Sequence, residues 1–432
     1  VPRHAAPRGR SAASDRQVST PPRHALFRNG HTIVRRLGMA ALALVMFVGS
    51  GAAFAYSEIQ GNVTRHDIND LLGSRPDVGD GTSPPPPIDS KSGQPINILV
   101  MGSDVREGES DVDGAGAAGL VAGMRSDTTM IAHISANRSR VEIVSIPRDT
   151  LVDIPSCRLP DGRETAPQYD AMFNSAFQTG GQTGDVGAAA ACTIRTVEQL
   201  TDVYIDDFVV VDFAGFTNMV DALGGVPMYV PEAVNDSFAN LHLEQGCQVL
   251  DGTDALGFAR ARKSLGDGSD ISRIGRQQEL VAAIAREALS KNLLTDAPAL
   301  YQFLDASTST LTTGPYIGGL TTMAGLANSL RGLDAESISF VTMPFDWAGP
   351  RVRPSPDADA LWAALGADEP IQATLTGTGE PPTNKSTTEP TSTGTPDAGE
   401  VTPTEPPVVE DDAPDDGVVS ASPEPTIPVC TK

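Results

Sequence analysis

Twenty consecutive residues without a charge, Leu37 to Tyr56 (LGMAALALVMFVGSGAAFAY), divide the chain. As an α-helix such a run spans roughly 30 Å, the thickness of a bilayer's hydrocarbon core. Arg35 and Arg36 stand directly before it. By the positive-inside rule, the residues ahead of the run stay in the cytoplasm and those after it are exported. Ala53-Phe54-Ala55 resembles the small-residue site at which a signal peptide is cut. However, the apolar run is longer than a usual signal-peptide core and the charged segment before it is long, so an uncleaved signal-anchor is expected over 37–56.

The flanks follow from that division. Residues 1–36 hold eight arginines, no lysine and one acid, with no sustained period, and are expected to form a disordered basic arm. Residues 57–94 read as a stalk and Pro-rich linker, with a short helix over 58–72 and four prolines at Pro84–Pro87. Residues 95–366 are the expected extracytoplasmic folded domain, and 367–432 an acidic, Thr/Pro-rich disordered tail. The whole chain carries a net charge of −24. With the arm's +7 and the tail's −9 from Gly377 onward set aside, −22 remains for the anchor and exported domain. A surface that holds a nucleic-acid backbone is broadly positive, so no nucleic-acid partner is expected.

Four cysteines lie on the exported side, where three pairings are possible. Cys157 and Cys192 flank one segment and are the first choice for a bridge. Cys247 with Cys430 is a possible second, the alternative being a buried apolar Cys247 and a free Cys430 thiol.

Ile96–Met101, Thr128–Ser135, Arg140–Ile146, Phe208–Asp212, Val226–Val230 and Ser337–Met343 read as strands, with a hairpin turn at Ala136–Ser139. Helices are expected over Tyr169–Gln178, Gly187–Leu200, Phe213–Leu223, Gly252–Arg260, Ile271–Ser290, Ala297–Ser307, Gly318–Leu330 and Ala358–Leu365. This alternation, with a hairpin in it, predicts an α/β fold whose mixed sheet lies between helical layers.

Three patches, MGSDVR (101–106), RSDTT (125–129) and IPRDT (146–150), sit at strand ends, and each supplies an Arg and an Asp. Asp104 and Asp127 are a carboxylate pair suited to one Mg²⁺, an ion that takes few protein carboxylates along with phosphate oxygens. Arg125, Arg148, Arg260 and Arg262 are enough to encircle a diphosphate with bidentate forks. Gln277 can bond a phosphate oxygen or orient an Arg. Each patch taken alone also fits a turn, an N-cap or a surface ion pair. Asp206, Asp207 and Asp221 are expected to be structural, and His133 to be packing. The Gly-rich stretch 108–123 reads as a lid over the site or a plain surface loop. No P-loop, GxSxG or HExxH occurs.

In order, GSDVR, RSDTT, VEIVSIPRDT, DFAGFTNMVDALGGV, LDGTDALGFARAR and GDGSDISRIGRQQ resemble the LytR–CpsA–Psr family of bacterial cell-wall glycopolymer ligases, of an actinobacterial type. The resemblance is strong over 96–291 and weaker to about 365. It implies a three-layer α-β-α fold and a membrane-anchored phosphotransferase. Such an enzyme moves a glycan-1-phosphate from a polyprenyl pyrophosphate carrier to a cell-wall acceptor, usually the muramic acid 6-OH of peptidoglycan. It further implies Asp104 and Asp127 as Mg²⁺ ligands, and Arg125, Arg148, Arg260 and Arg262 as pyrophosphate ligands, with Arg148, Arg260, Arg262 and Asp127 catalytic. Arg273 and Gln277 become head-group contacts. Phe213, Phe216, Val220, Leu280, Val281 and Ile284 are the candidate lining of a polyprenyl pocket, or ordinary core. The alternatives are a prenyl-pyrophosphate hydrolase, a ligase that glycosylates a surface protein, a wall-binding scaffold and a transcriptional regulator. The inferred orientation and the acidic exported domain argue against the last.

Overall fold

The computed structural model describes residues 24–73, 75, 89, 91–103, 124–236, 239–261, 270–291, 302–303, 305–306, 308, 311–371 and 430. Helix α1, His24–Asn62, contains the uncharged run. Its stretch Val34–Gly51 has a mean hydropathy of 1.4, with no part buried by the rest of the chain, and is long and apolar enough to cross a bilayer. The helix starts inside the segment expected to be disordered. After Pro21-Pro22 no proline interrupts the chain before the apolar run, and Ala, Leu and Arg are good helix formers.

Seven strands form the central sheet: β1 (Thr64–Arg65), β2 (Ile96–Ser103), β3 (Ser126–Ile134), β4 (Val141–Ser145), β5 (Asp207–Val211), β6 (Thr312–Thr313) and β7 (Ile338–Thr342). Their order is β1-β6-β5-β2-β3-β4-β7. The β1/β6, β5/β2 and β4/β7 pairs are parallel, and β6/β5, β2/β3 and β3/β4 are antiparallel. The sheet is therefore mixed, as expected. The β3–β4 hairpin turns at Arg138, whose φ is 59°.

Side chains alternate across these strands. Leu99, Met101, Ile131, Val144 and Phe208 pack against α2 (Val186–Thr201) and α7 (Pro356–Gly366). On the opposite face Ile96, Ile98 and Ile134 pack with Leu326 of α6 (Leu320–Ser329). A separate cluster joins α3 (Phe213–Ala222), α4 (Gly252–Arg260) and α5 (Asp270–Ser290) to the ribbon of Val226–Val230 with Gly246–Leu250. Asp212 caps α3 through Gly215 N–H at 2.8 Å, and Asp251 caps α4 through Asp254 N–H at 2.9 Å. Gly224 and Gly225 end α3 with φ of 70° and 82°, a region where glycine alone is unstrained.

Some expectations need correction. Tyr169–Gln178 is not one helix. Gln168–Met172 is a strand paired with Leu151–Ile154, and only Ser175–Gly180 is helical. Asp170 has φ 53°, which no right-handed helix contains. The domain begins well before Pro95: β1 pairs with β6, and Val63, Ile68 and Leu72 are buried. Arg75 bonds Glu198, and Asp89 holds Arg138 at 2.9 Å. The helix expected over 58–72 is split by β1. A two-residue strand is too short to show a period, and single anchoring residues in a Pro/Ser-rich linker look like linker. The expected helix Ala297–Ser307 lies largely outside the described residues, as does the tail from 372 to 429.

The domain's far end is a latch. Asp368 accepts hydrogen bonds from Ala136 N–H at 3.0 Å, Arg140 at 2.8 Å and His133 Nε2 at 3.1 Å. His133, fully buried, also meets Asn97 Oδ1 through Nδ1 at 2.7 Å. Ile371 N–H donates to Glu142 at 2.7 Å. The domain thus runs on to Ile371. Burial pushes the Asp368 carboxyl up, but the Ala136, His133 and Arg140 contacts outweigh it and hold it below the usual aspartate range. A depressed folded value stabilises above the unfolded one and is lost as pH falls through the folded value. Asp368→Asn is therefore expected to cost about 2 kcal/mol at neutral pH. The cost should shrink as pH falls below the ordinary aspartate value of about 3.9, measured by urea titration across pH.

Both candidate disulfides form: Cys157–Cys192 with a Cα–Cα distance of 5.4 Å, and Cys247–Cys430 with 5.6 Å. The first pair is buried, whereas Cys247 is exposed. Exchange needs access for the attacking thiolate. Mild reduction of the folded protein is expected to alkylate Cys247 and Cys430 while Cys157 and Cys192 stay protected, read by peptide mass.

Candidate active site

Because β3 and β4 are antiparallel, the start of β3 and the exit of β4 share one end of the sheet. Asp127 is the second residue of β3, and Arg148 follows β4 by three. Arg148 Nη1 donates to Asp127 Oδ1 at 2.7 Å. Arg148 also lies 3.5 Å from Asp149. Its loop is fixed through the backbone: Thr150 N–H and Oγ1 donate to Pro147 O at 3.1 and 2.6 Å, and Asn174 N–H to Arg148 O at 3.0 Å. Arg125, just ahead of β3, donates to Gln178 at 3.4 Å. At the same end Ser103, the last residue of β2, pairs with Ser126. Asp104 is the next residue and lies outside the described set, as do Arg262 and the stretch 108–123.

Helix α5 reaches this end of the sheet through Gln278. Its Nε2 donates to Ser145 Oγ at 2.9 Å and Thr342 Oγ1 at 3.2 Å, on the last residues of β4 and β7. The neighbouring side chains of α5 hold the end of α4: Gln277 donates to Ala259 O at 3.2 Å and Arg276 to Ala261 O at 2.6 Å. Arg260 lies between those two carbonyls, its guanidinium 4.8 Å from the centre of the Phe213 ring. The start of α4 is fixed on α3 by Gly252 N–H, which donates to Asp221 at 2.7 Å. A Cβ at Gly252 would meet Thr217 O at 2.3 Å, so only glycine permits this approach. Arg273 is buried one helical turn before Gln277, on the same face. Burial pushes the Glu279 carboxyl up, with Arg286 pulling it partly back.

A chain of bonds thus runs from Asp127–Arg148 through the β4 end and Gln278 to α4 and Arg260. Sequence reading singled out Arg148, Asp127, Arg260 and Gln277 but missed Gln278 and Gln178. One signal for Gln278 exists: it interrupts the apolar face of α5 between Ile274 and Val281. Of the proposed lipid-pocket residues, Val220 and Leu280 are fully buried in the cluster of α3, α4 and α5 and are core. Phe213, Phe216, Val281 and Ile284 are half-buried, and Phe216 and Ile284 pack against that core. Asp206, Asp207 and Asp221 are occupied structurally. Asp206 bonds Lys91 and Asn97 N–H, and Asp207 accepts from Ile317 and Phe208 N–H. Burial pushes the Asp207 carboxyl up.

Among the described residues no group of three or more His, Cys, Asp and Glu gathers to hold a metal. Asp127, 38% exposed at a strand end, suits an ion that takes one or two carboxylates and keeps water and phosphate oxygens. Chemically, guanidinium forks beside a carboxylate on a rigid sheet end can hold an oxyanion and neutralise charge on it.

The LytR_cpsA_psr family model matches residues 60–362. "Probable cell wall biosynthesis protein LcpB" of Corynebacterium glutamicum is 34% identical over 50% of this chain, which spans 48% of that relative's length. The polyisoprenyl-teichoic acid–peptidoglycan teichoic acid transferase TagU of Halalkalibacterium halodurans is 32% identical, covering 62% of this chain and 75% of its own. The solved LytR-Csp2A-Psr enzyme from Actinomyces oris is 21% identical with a TM-score of 0.49, covering 70% of this chain and 96% of that one.

Proposed function

The chain belongs to the LytR–CpsA–Psr family, and from that premise we propose a membrane-anchored phosphotransferase with an extracytoplasmic site. It moves a glycan-1-phosphate from a polyprenyl pyrophosphate carrier to a cell-wall acceptor, with a hydroxyl of peptidoglycan as the nucleophile. The observation that carries the reading is the linked placement of Asp127, Arg148 and Arg260 by β4, Gln278 and the end of α4. A hydrolase would need the same grip on the diphosphate, so the acceptor, not the site, separates the two readings.

Arg148 and Arg260, with Arg125 and Arg262, hold the diphosphate oxygens. The acceptor oxygen attacks the phosphorus bonded to the sugar, and a new P–O bond forms there. The bridging P–O bond breaks, and its electron pair leaves on the prenyl phosphate. The acceptor's proton passes to a base. Arg charge offsets the growing negative charge on the leaving phosphate. Asp127 keeps the Arg148 fork oriented, and Gln277 and Gln278 keep α4, and so Arg260, in place. Arg273, on the same face of α5, completes the head-group side. Asp127 and Asp104 would hold Mg²⁺, which when bound supplies further charge neutralisation on the diphosphate.

Incubating the full-length protein with lipid-linked labelled glycan should give peptidoglycan-bound label that EDTA prevents. Label released only as free glycan phosphate, with peptidoglycan present, would mean a hydrolase. Label on a protein would mean a surface-protein acceptor.

A further inference from the structure

A groove of about 320 Å³ opens where the Leu151–Ile154/Gln168–Met172 ribbon meets the end of α2 and a second hairpin ribbon, Phe345–Ala348 paired with Arg351–Pro354. Its walls include Asp153 and Asp170 of the Leu151–Ile154/Gln168–Met172 ribbon, Gln199 and Leu200 of α2, and Arg353 and Pro354. We propose that this groove is a subsite for the acceptor: it holds an uncharged, hydroxyl- and amide-bearing glycan strand that enters the site by the Arg148 loop. The proposal rests on the transferase reading and extends it to the acceptor side.

Three observations support it. The first is position. Leu151, also on the groove wall, is three residues past Arg148, so their Cα atoms lie within roughly 11 Å. The ribbon and the Arg148 loop are also hydrogen-bonded as one unit, through Asn174 N–H to Arg148 O and Phe173 N–H to Thr150 O. The second is chemistry. Two carboxylates, an amide and a guanidinium stand among Leu151, Val152, Leu200 and Pro354 and offer both acceptors and donors. Two acids against one Arg disfavour an anionic ligand such as the diphosphate donor, whereas paired donors and acceptors suit sugar hydroxyls. The third is backbone cost. Asp170 is a non-glycine residue at φ 53°, held there by Arg353 at 2.5 Å and by its own N–H on Asp153 at 3.0 Å. Such local strain is retained where the fold over-determines it, and it clusters at binding sites.

The test uses the full-length protein, lipid-linked donor and soluble uncross-linked peptidoglycan strands. Arg353→Ala and Asp153→Asn are each expected to raise the acceptor KM about tenfold. The donor KM, and kcat at saturating acceptor, should be unchanged. Chito-oligosaccharide should shift amide resonances of residues 151–153 and 199–200, with little dependence on salt. An unchanged acceptor KM in both folded variants overturns the subsite. So does binding of oligosaccharide elsewhere, or binding that salt abolishes. Should the wild-type protein leave the donor untouched, the transferase reading fails, and the resonance experiment still decides whether the groove takes a glycan.

Discussion

Arg148→Ala is expected to lower the proposed glycan transfer by roughly 10²–10³-fold, the size of loss that removal of one preorganised charge-stabilising donor brings, and to leave a protein that still folds. The side chain is only 20% exposed, but its loop is tied by backbone groups that alanine keeps: Arg148 O with Asn174 N–H, and Pro147 O with Thr150. Asp127, left without the guanidinium, is 38% exposed and can hydrate, so the stability cost is small. Arg148→Lys keeps the charge and loses the planar fork, and should recover only part of the rate. Arg260→Ala should lose activity to a similar degree and still fold, because Gln277 and Arg276 still bind the Ala259 and Ala261 carbonyls. The measurement is single-turnover transfer with a melting curve on each variant. Full transfer by both purified variants would remove the assignment of this site.

What could be read beforehand divides along physical lines. β2, β3 and β4 were legible because each is an apolar run bounded by turn residues, and α4 because Asp251 caps it and charge ends it. The pairing of Asp127 with Arg148 was legible because the start of β3 and the exit of β4 share one end of the sheet, whereas Asp104 and Arg106 lie outside the described residues. The ribbons Leu151–Ile154/Gln168–Met172 and Phe345–Ala348/Arg351–Pro354 were not, because their strands are four or five residues long and one contains Asp170 in a left-handed conformation. Gln278 was hidden for a different reason. Its partners, Ser145 and Thr342, lie 133 and 64 residues away, and the local signal, a polar residue on the apolar face of α5, does not say what it bonds. The same holds for Asp368, which looked like the first acid of an acidic tail and closes the latch over His133 and Arg140.

Removing the buried disulfide, as Cys157→Ala with Cys192→Ala, is expected to cost about 4 kcal/mol and to lower the melting temperature by about 10 °C. The bond closes a loop with a sequence separation of 35, which sets the chain-entropy part. The contacts that alanine keeps, the two main-chain hydrogen bonds of Cys157 with Thr165 and the Cβ of Cys192 beside Gly180, hold the surroundings in place, so the loss reads out the bond itself. The segment it fixes leads directly from the ribbon that follows Arg148, so activity should fall at temperatures below the melting point. Cys247–Cys430 spans 183 residues, so loop length ranks it as the stronger link, and the double alanine variant at Cys247 and Cys430 should lose at least as much stability, by calorimetry under non-reducing conditions. A smaller loss than in the Cys157 and Cys192 double variant would show that chain entropy does not set the order of the two bonds.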